Sequence, residues 1–305
     1  MFFFNFFFLL IFIFIGVAYY VLLERKVLGY IQFRKGPSKV GFFGLFQPFS
    51  DAISLFSSES YFIYFGNLFI YFFVPIIGLV VSCIFWVLYP VCFNLVSFNL
   101  GFVFFICCSG LMVYFIMMAG WSSNSMYSLI GGIRSVAQSI SYEVCMFMIF
   151  LSLVIFYLGF SFLDLFFIQS FNWFVFFCFP LFMVFFSCLL AETNRSPFDF
   201  AEGESELVSG FNLEYSSFLF SFIFLSEYMN MIFMSFLMSL FFCGGDYYSY
   251  FFFFSVLFFC FLFVWVRGTF PRYRYDKLMM LCWSCYLPLV LNYLFFFCFL
   301  KVIIF

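Results

Sequence analysis

Between Ala191 and Ser217 the sequence reads AETNRSPFDFAEGESELVSGFNLEYSS. This stretch holds Glu192, Asp199, Glu202, Glu204, Glu206 and Glu214, six of the chain's fourteen acids, and Arg195 is its only base. Two more acids lie inside apolar runs: Glu143, just beyond a polar, glycine-containing segment, and Glu227, flanked by Ser226, Tyr228 and Asn230. A charge carried to the middle of a bilayer costs about 2.5 to 3.5 kcal/mol on insertion scales, so acids kept there point to use. The chemistry open to them is proton transfer. A carboxyl group held between apolar surroundings and a base such as Arg134 or Arg195 is balanced between two charge states. Taken by depth, Asp199, Glu202, Glu204, Glu206, Glu192, Glu143 and Glu227 make a chain of acids leading inward from the surface. The plainer readings are a solvated acidic loop for the 199–206 cluster and a neutral acid bonded to a neighbouring helix for Glu227. Ser196-Pro197-Phe198-Asp199-Phe200 keeps the loop apolar enough to pack down.

The elements that position these acids are transmembrane helices. With 67% hydrophobic residues, 9% charged residues and a mean hydropathy of +1.19, the 305-residue chain has too little charge to coat a soluble surface. Runs of the roughly 20 residues that cross ~30 Å of hydrocarbon are read at 2–23, 67–89, 101–120, 137–159, 173–191, 213–241, 251–267 and 284–305. The fold class is therefore all-α: one integral membrane domain over 1–305, with eight spans. The 66 Phe residues point to a T-rich coding strand and an organellar gene. The run at 2–23 lacks a basic leader and a small-residue cleavage site, so it reads as an uncleaved span.

Numbered from the end of the first span, the odd loops carry eleven of the twelve bases, and only Lys301 falls on the other side. By the positive-inside rule the odd loops face the cytoplasm or matrix, with both termini opposite. The first odd loop contains a helical pattern over 45–57. Leu45, Phe46, Phe49, Ala52, Ile53 and Phe56 take one face, and Gln47, Ser50, Asp51, Ser54 and Ser57 the other. This reads as a short amphipathic helix in the membrane interface, either an anchor or the wall of a lipid-facing entrance.

No phosphate loop, Ser/His/Asp set, haem ligand or iron-sulfur spacing occurs, and the chain has no His. No cofactor of its own and no resident metal are expected; alternate acids at 202, 204 and 206 without an EF-hand loop are poor evidence for a hard-metal site. Cys282-Trp283-Ser284-Cys285 lacks a second pair and reads as chance in a Cys-rich apolar context. Neither charge nor composition favours nucleic acid as a partner. The last odd loop interleaves Arg267, Arg272 and Arg274 with aromatics, a pattern suited to lipid headgroups or to an acidic soluble partner.

Six segments in order over nearly the whole length carry a specific likeness: LLERKVLGYIQFRKGPSKVG, GLFQPFSDAISLF, GWSSNS, VAQSISYEV, AETNRSPFDFAEGESELVSGFNLEYSS and FPRYRYDKLM. With them the chain resembles the chain 1 family of NADH:ubiquinone oxidoreductase, the respiratory complex I subunits at the joint between its two arms. The resemblance implies a mitochondrial inner-membrane protein with eight spans. Its first, sixth and seventh helices and its amphipathic helix would form the membrane side of the ubiquinone channel. Glu24, Arg25, Arg34, Asp51, Ala52, Phe224 and Arg274 would lie near the quinone path. Glu143, Glu192, Asp199, Glu202 and Glu227 would belong to a proton-conducting chamber, to which the acid cluster adds Glu204 and Glu206.

The same resemblance implies ubiquinone as substrate. NADH, FMN and iron-sulfur clusters would sit in partner subunits, and no complete catalytic site in this chain alone. Partners would be the quinone-site subunits of the redox arm, small membrane-arm subunits and membrane lipid. Ser54, Met126 and Ser284 stand where relatives tend to have Lys, and Lys277 where a neutral residue is usual, which implies altered peripheral or lipid contacts. The residues also fit a stand-alone proton or ion transporter, the membrane anchor of a hydrogenase-type relative, or a structural scaffold. A transporter should show inverted repeats or broken helices, a hydrogenase-type anchor a ferredoxin partner in place of quinone, and a scaffold would leave Glu227 and the acidic loop unexplained.

Overall fold

The computed structural model describes residues 2–64, 66–89, 98–169, 172–203, 207–247 and 249–304. Among the described residues there are helices and loops but no strand. In chain order the helices are α1 (Phe2–Ile31), α2 (Gln47–Ser57), α3 (Leu68–Phe85), α4 (Gly101–Ser122), α5 (Met126–Tyr157), α6 (Phe162–Gln169), α7 (Phe174–Phe177), α8 (Phe179–Glu192), α9 (Ser217–Phe242), α10 (Tyr250–Thr269), α11 (Tyr275–Met280) and α12 (Leu287–Ile304). A π-helical turn, Leu281–Tyr286, joins α11 to α12. Seven helical runs among the described residues are long and apolar enough to cross a membrane: α1, α3, α4, α5, α9, α10 and the α11–α12 run.

The expected span at 173–191 is broken at Cys178, leaving α8 with 14 residues. At 1.5 Å per residue that is roughly 21 Å, short of the ~30 Å hydrocarbon layer. Pro180 near the start of α8 fits a new helix beginning there, because proline suits the first turn, where its missing N–H costs nothing.

The bundle is built around α9, whose apolar window is 72% buried, against 22% for α1 and 11% for the last run. It packs against α1, α2, α3 and α10, while α5 packs against α4, α8 and α12. Phenylalanine fills the centre: the ring of Phe241 on α9 lies 5.3 Å from Phe102, 5.1 Å from Phe150 and 5.6 Å from Phe185, which come from α4, α5 and α8. Such offset and edge contacts lock rings that differ little from one another in chemistry.

Two helices extend further than the apolar pattern predicts. α1 continues through Glu24, Arg25 and Lys26 to Ile31, and α5 begins at Met126 rather than near 137. The early part of α5 is polar because it is buried against the loop that follows α8, with Ser128, Gly131, Gly132, Ser135 and Gln138 all inside. A Cβ at Gly131 would stand 3.2 Å from both the Ala201 carbonyl oxygen and the Gly210 Cα, so any larger residue would push the loop outward by a few tenths of an ångström. The serines donate back to helix carbonyls, as Ser135 Oγ does to Gly132 O at 2.8 Å, so their burial leaves no stray donor.

The acidic loop is thereby pinned at several points. Gln138 Nε2 donates to the carbonyls of Ala191 and Phe198, both at 2.8 Å. The Tyr71 hydroxyl donates to Glu214 O at 2.7 Å, and the Tyr273 N–H donates to Pro197 O at 3.0 Å. Gln138→Leu takes the side-chain donor from two buried carbonyls, which keep only the Asn194 and Phe200 N–H groups, each at 3.2 Å. It is expected to cost about 1 to 3 kcal/mol, on the order of 0.5 to 1.5 for each hydrogen bond lost, read as an earlier thermal transition of the purified protein in detergent. An unchanged transition would mean that the loop is held elsewhere.

Candidate functional site

Four elements meet at one buried chain of charges. Glu24 on α1 is 4% exposed. Its Oε1 accepts from Arg267 Nη1 of α10, and its Oε2 accepts from the Tyr228 hydroxyl of α9. The Tyr228 ring lies beneath the guanidinium of Arg195, with Cζ 4.7 Å from the ring centroid. Arg195 Nη2 donates to Glu227 Oε2 at 3.3 Å, and its Nε donates to Met231 Sδ at 3.2 Å. Arg195 sits in the loop after α8 and is 5% exposed. Burial opposes its charge, but Glu227, Tyr228, Glu202 and Glu24 together outweigh burial and hold the guanidinium above its ordinary value. Arg195 therefore stays charged, and a buried charge of this kind persists only with close partners.

Two cavities flank this chain. The larger, about 400 Å³, lies between α1, α2 and α9, with Ala18, Ala52 and Phe224 on its apolar wall. Arg25 and Asp51, which also line it, form an ion pair, and Gln47 Nε2 steadies Asp51 from one turn away at 2.8 Å. On α2, Phe49, Ile53 and Phe56 are exposed. The Phe224 ring lies 4.4 Å from that of Tyr228, so the cavity wall touches the charge chain directly. The smaller cavity, about 40 Å³, has Glu192, Asn194, Glu227 and Asn230 in its walls.

The structure brings together Arg25, Asp51, Ala52 and Phe224 around one cavity, and Glu192 and Glu227 around the other. Glu24 lines neither cavity and reaches Phe224 and Arg195 by way of Tyr228. Glu143 on α5 accepts from Ser109 Oγ of α4 at 3.1 Å. Asp199 pairs with Arg272 at 3.2 Å, and its Oδ1 accepts the Glu202 N–H at 3.1 Å. Glu204 and Glu206 lie outside the described residues. Arg34 is exposed beyond α1, and Arg274 pairs at 3.1 Å with exposed Asp276; neither lines the larger cavity.

Sequence reasoning passed over Arg267 as a site residue, treated Tyr228 only as a neighbour of Glu227, and did not single out Gln138. A signal for the first was available. Glu24 and Arg267 each stand where an apolar run meets an odd loop, which puts both at one depth.

A family model described as NADH dehydrogenase matches residues 4–298. Over 294 residues the chain is 56% identical to the NADH-ubiquinone oxidoreductase chain 1 of Anopheles gambiae, covering 96% of this chain and 94% of that protein. The protein of the same name from Locusta migratoria is 56% identical over 301 residues, 99% of this chain and 96% of its own length. That of Apis mellifera ligustica is 46% identical over 297 residues, 97% of each. With a match spanning nearly every helix that builds the site, the chain belongs to the NADH dehydrogenase family, that of the NADH-ubiquinone oxidoreductase chain 1 proteins.

Proposed function

We propose that the chain is the core membrane subunit of a proton-translocating NADH:ubiquinone oxidoreductase, shaping the membrane side of the quinone channel and carrying an acidic proton path. One observation carries this reading: the wall of the larger cavity and the acid chain share a contact. Phe224 lines the cavity and packs on Tyr228, which hydrogen-bonds Glu24 and lies under Arg195, the partner of Glu227. A ligand entering the cavity presses on Phe224, and the charges beyond Tyr228 respond. The cavity suits a quinone, with apolar walls for an isoprenoid tail and the Arg25–Asp51 pair as its polar element.

In this reading α2 lies in the interface with Phe49 and Ile53 toward lipid and Phe56 at the rim of the larger cavity, and α7 with α8 completes an eighth crossing inside the assembly. The chain sits in the mitochondrial inner membrane with both termini on the intermembrane-space side. It carries no electrons itself. NADH, FMN and iron-sulfur clusters belong to redox-arm subunits docked on the odd loops, and small membrane-arm subunits and lipid surround the helices. Glu143, Glu192, Asp199, Glu202 and Glu227, continued by Glu204 and Glu206, move the protons, while Glu24, Arg25, Asp51, Ala52 and Phe224, with Arg34 and Arg274 toward the docked arm, serve the quinone.

Ala52→Phe tests the reading, because the larger side chain takes up cavity space while every residue of the charge chain stays unsubstituted. In membranes containing the assembled complex, the KM for quinone should rise about tenfold, as a filled pocket loses on the order of 1 to 3 kcal/mol of binding. Electron transfer from NADH to ferricyanide should stay unchanged. An unaltered quinone KM with intact inhibitor sensitivity would move the quinone path elsewhere, and a chain that moved protons without NADH or quinone would favour a transporter.

A further inference from the structure

The small cavity between Glu192 and Glu227 contains an imbalance of hydrogen-bonding groups. Oε2 of Glu192, Oδ1 of Asn194 and Oδ1 of Asn230 are buried and have no hydrogen-bond partner among the described residues, and all three residues line the cavity. The hydroxyls in the same wall are engaged elsewhere: Ser226 Oγ donates to Ile223 O at 2.7 Å, and Thr193 Oγ1 donates to Leu189 O at 2.9 Å. Buried acceptors are seldom left unmet, and ordered water is the usual donor where the surrounding side chains supply none. The volume of about 40 Å³ admits little. A water needs roughly 10 to 15 Å³ of such space and two to four polar partners, so about three waters fit and an organic ligand does not.

We propose that Asn194 and Asn230 are positioning residues that hold a bridging water between Glu192 and Glu227, and that a proton crosses from one carboxyl to the other through it. The inference deepens the proton path proposed above and rests on it. The transfer balances without any other reactant. The O–H bond of the protonated carboxyl breaks as its proton joins the water, and a different O–H bond of that water breaks as its proton joins the receiving carboxylate. The water is regenerated, and no electron moves. Amide oxygens suit this task because they accept a water's O–H firmly but are too weakly basic to keep the proton. A third acid at 194 or 230 would instead trap it.

Two measurements on the assembled complex decide the matter. A cryo-EM map sharp enough for ordered water should show density within hydrogen-bonding distance of Asn194 Oδ1 and Asn230 Oδ1; a dry or collapsed cavity overturns the proposal. In reconstituted vesicles, Asn230→Leu removes the acceptor at similar size and should cut protons moved per NADH by about tenfold or more. NADH-to-ferricyanide activity, which reads assembly of the redox arm, should hold. Asn230→Ser, whose hydroxyl accepts again, should recover most of the loss, which a merely structural role would not predict. Full pumping by Asn230→Leu overturns the positioning role. The Glu227→Gln variant separates this inference from its foundation. If that variant stops pumping while the cavity is dry, the water fails and the path stands. If it pumps normally while water is seen at the two amides, the path fails and the water site stands.

Discussion

Arg195→Met is expected to destabilise the protein by about 3 to 5 kcal/mol, the cost of breaking a buried ion pair from one side. Methionine keeps the apolar stem but ends short of the guanidinium and carries no charge, so the loss is mainly that of the charged group. Glu227 loses its partner at 3.3 Å, and the Tyr228 ring loses the cation above it. Because Arg195 is held charged by several neighbours at once, raising the pH within the range a membrane protein survives will not mimic the substitution. The measurement is the yield of assembled complex together with the midpoint of its thermal inactivation. A second variant keeps the argument open to refutation. Arg195→Met combined with Glu227→Gln removes the stranded carboxylate with the base, so it should recover a large part of the lost stability. A double variant no better than Arg195→Met alone would mean that Arg195 is held by its packing on Tyr228 and Met231 rather than by Glu227.

Much of this arrangement is legible in the residues, and what is not has physical causes. Seven runs of apolar sequence correspond to helices able to cross a membrane, because that length of hydrocarbon-like sequence leaves the backbone little choice but a helix. Helix ends are less visible. The stretch before Gln138 resembles a loop in composition, since its Gly and Ser residues are polar or small, yet their smallness is what admits the acidic loop against α5. Likewise the charges at 24–26 look like the close of a span, whereas α1 carries Glu24 onward as a helix to meet α9 and α10. The chemistry of the acids was legible one residue at a time. Their grouping was not: Glu24 and Glu227 are far apart in sequence and were assigned to different tasks. They are joined because Glu227 and Tyr228, adjacent on α9, both reach Arg195, and Tyr228 also reaches Glu24. That meeting depends on how α1, α9 and the loop after α8 pack, which no local pattern encodes.

Glu227→Gln is expected to give the largest functional loss, cutting proton pumping by about a hundredfold or more while leaving the complex assembled. The amide keeps the size of the carboxyl group, and its oxygen still accepts from Arg195 Nη2; the ion pair is lost, but Glu202 and Glu24 remain near the guanidinium, so the cost stays below that of removing Arg195. What it cannot do is take up and release a proton. Asn230 and Asn194 share the small cavity with it, but neither amide can replace that function. NADH-to-ferricyanide electron transfer should be unaffected, whereas quinone reductase activity should fall with pumping if the two are tightly coupled through Tyr228. The way they fall is itself informative. Loss of both together would mean that the Phe224–Tyr228–Arg195 contacts transmit the state of Glu227 back to the cavity. Loss of pumping with quinone reduction intact would mean that the acid chain can be uncoupled from the cavity at Tyr228. Normal pumping would take Glu227 out of the path and leave Glu143 and Glu192, reached from the Asp199 end of the loop, as the acids to examine next.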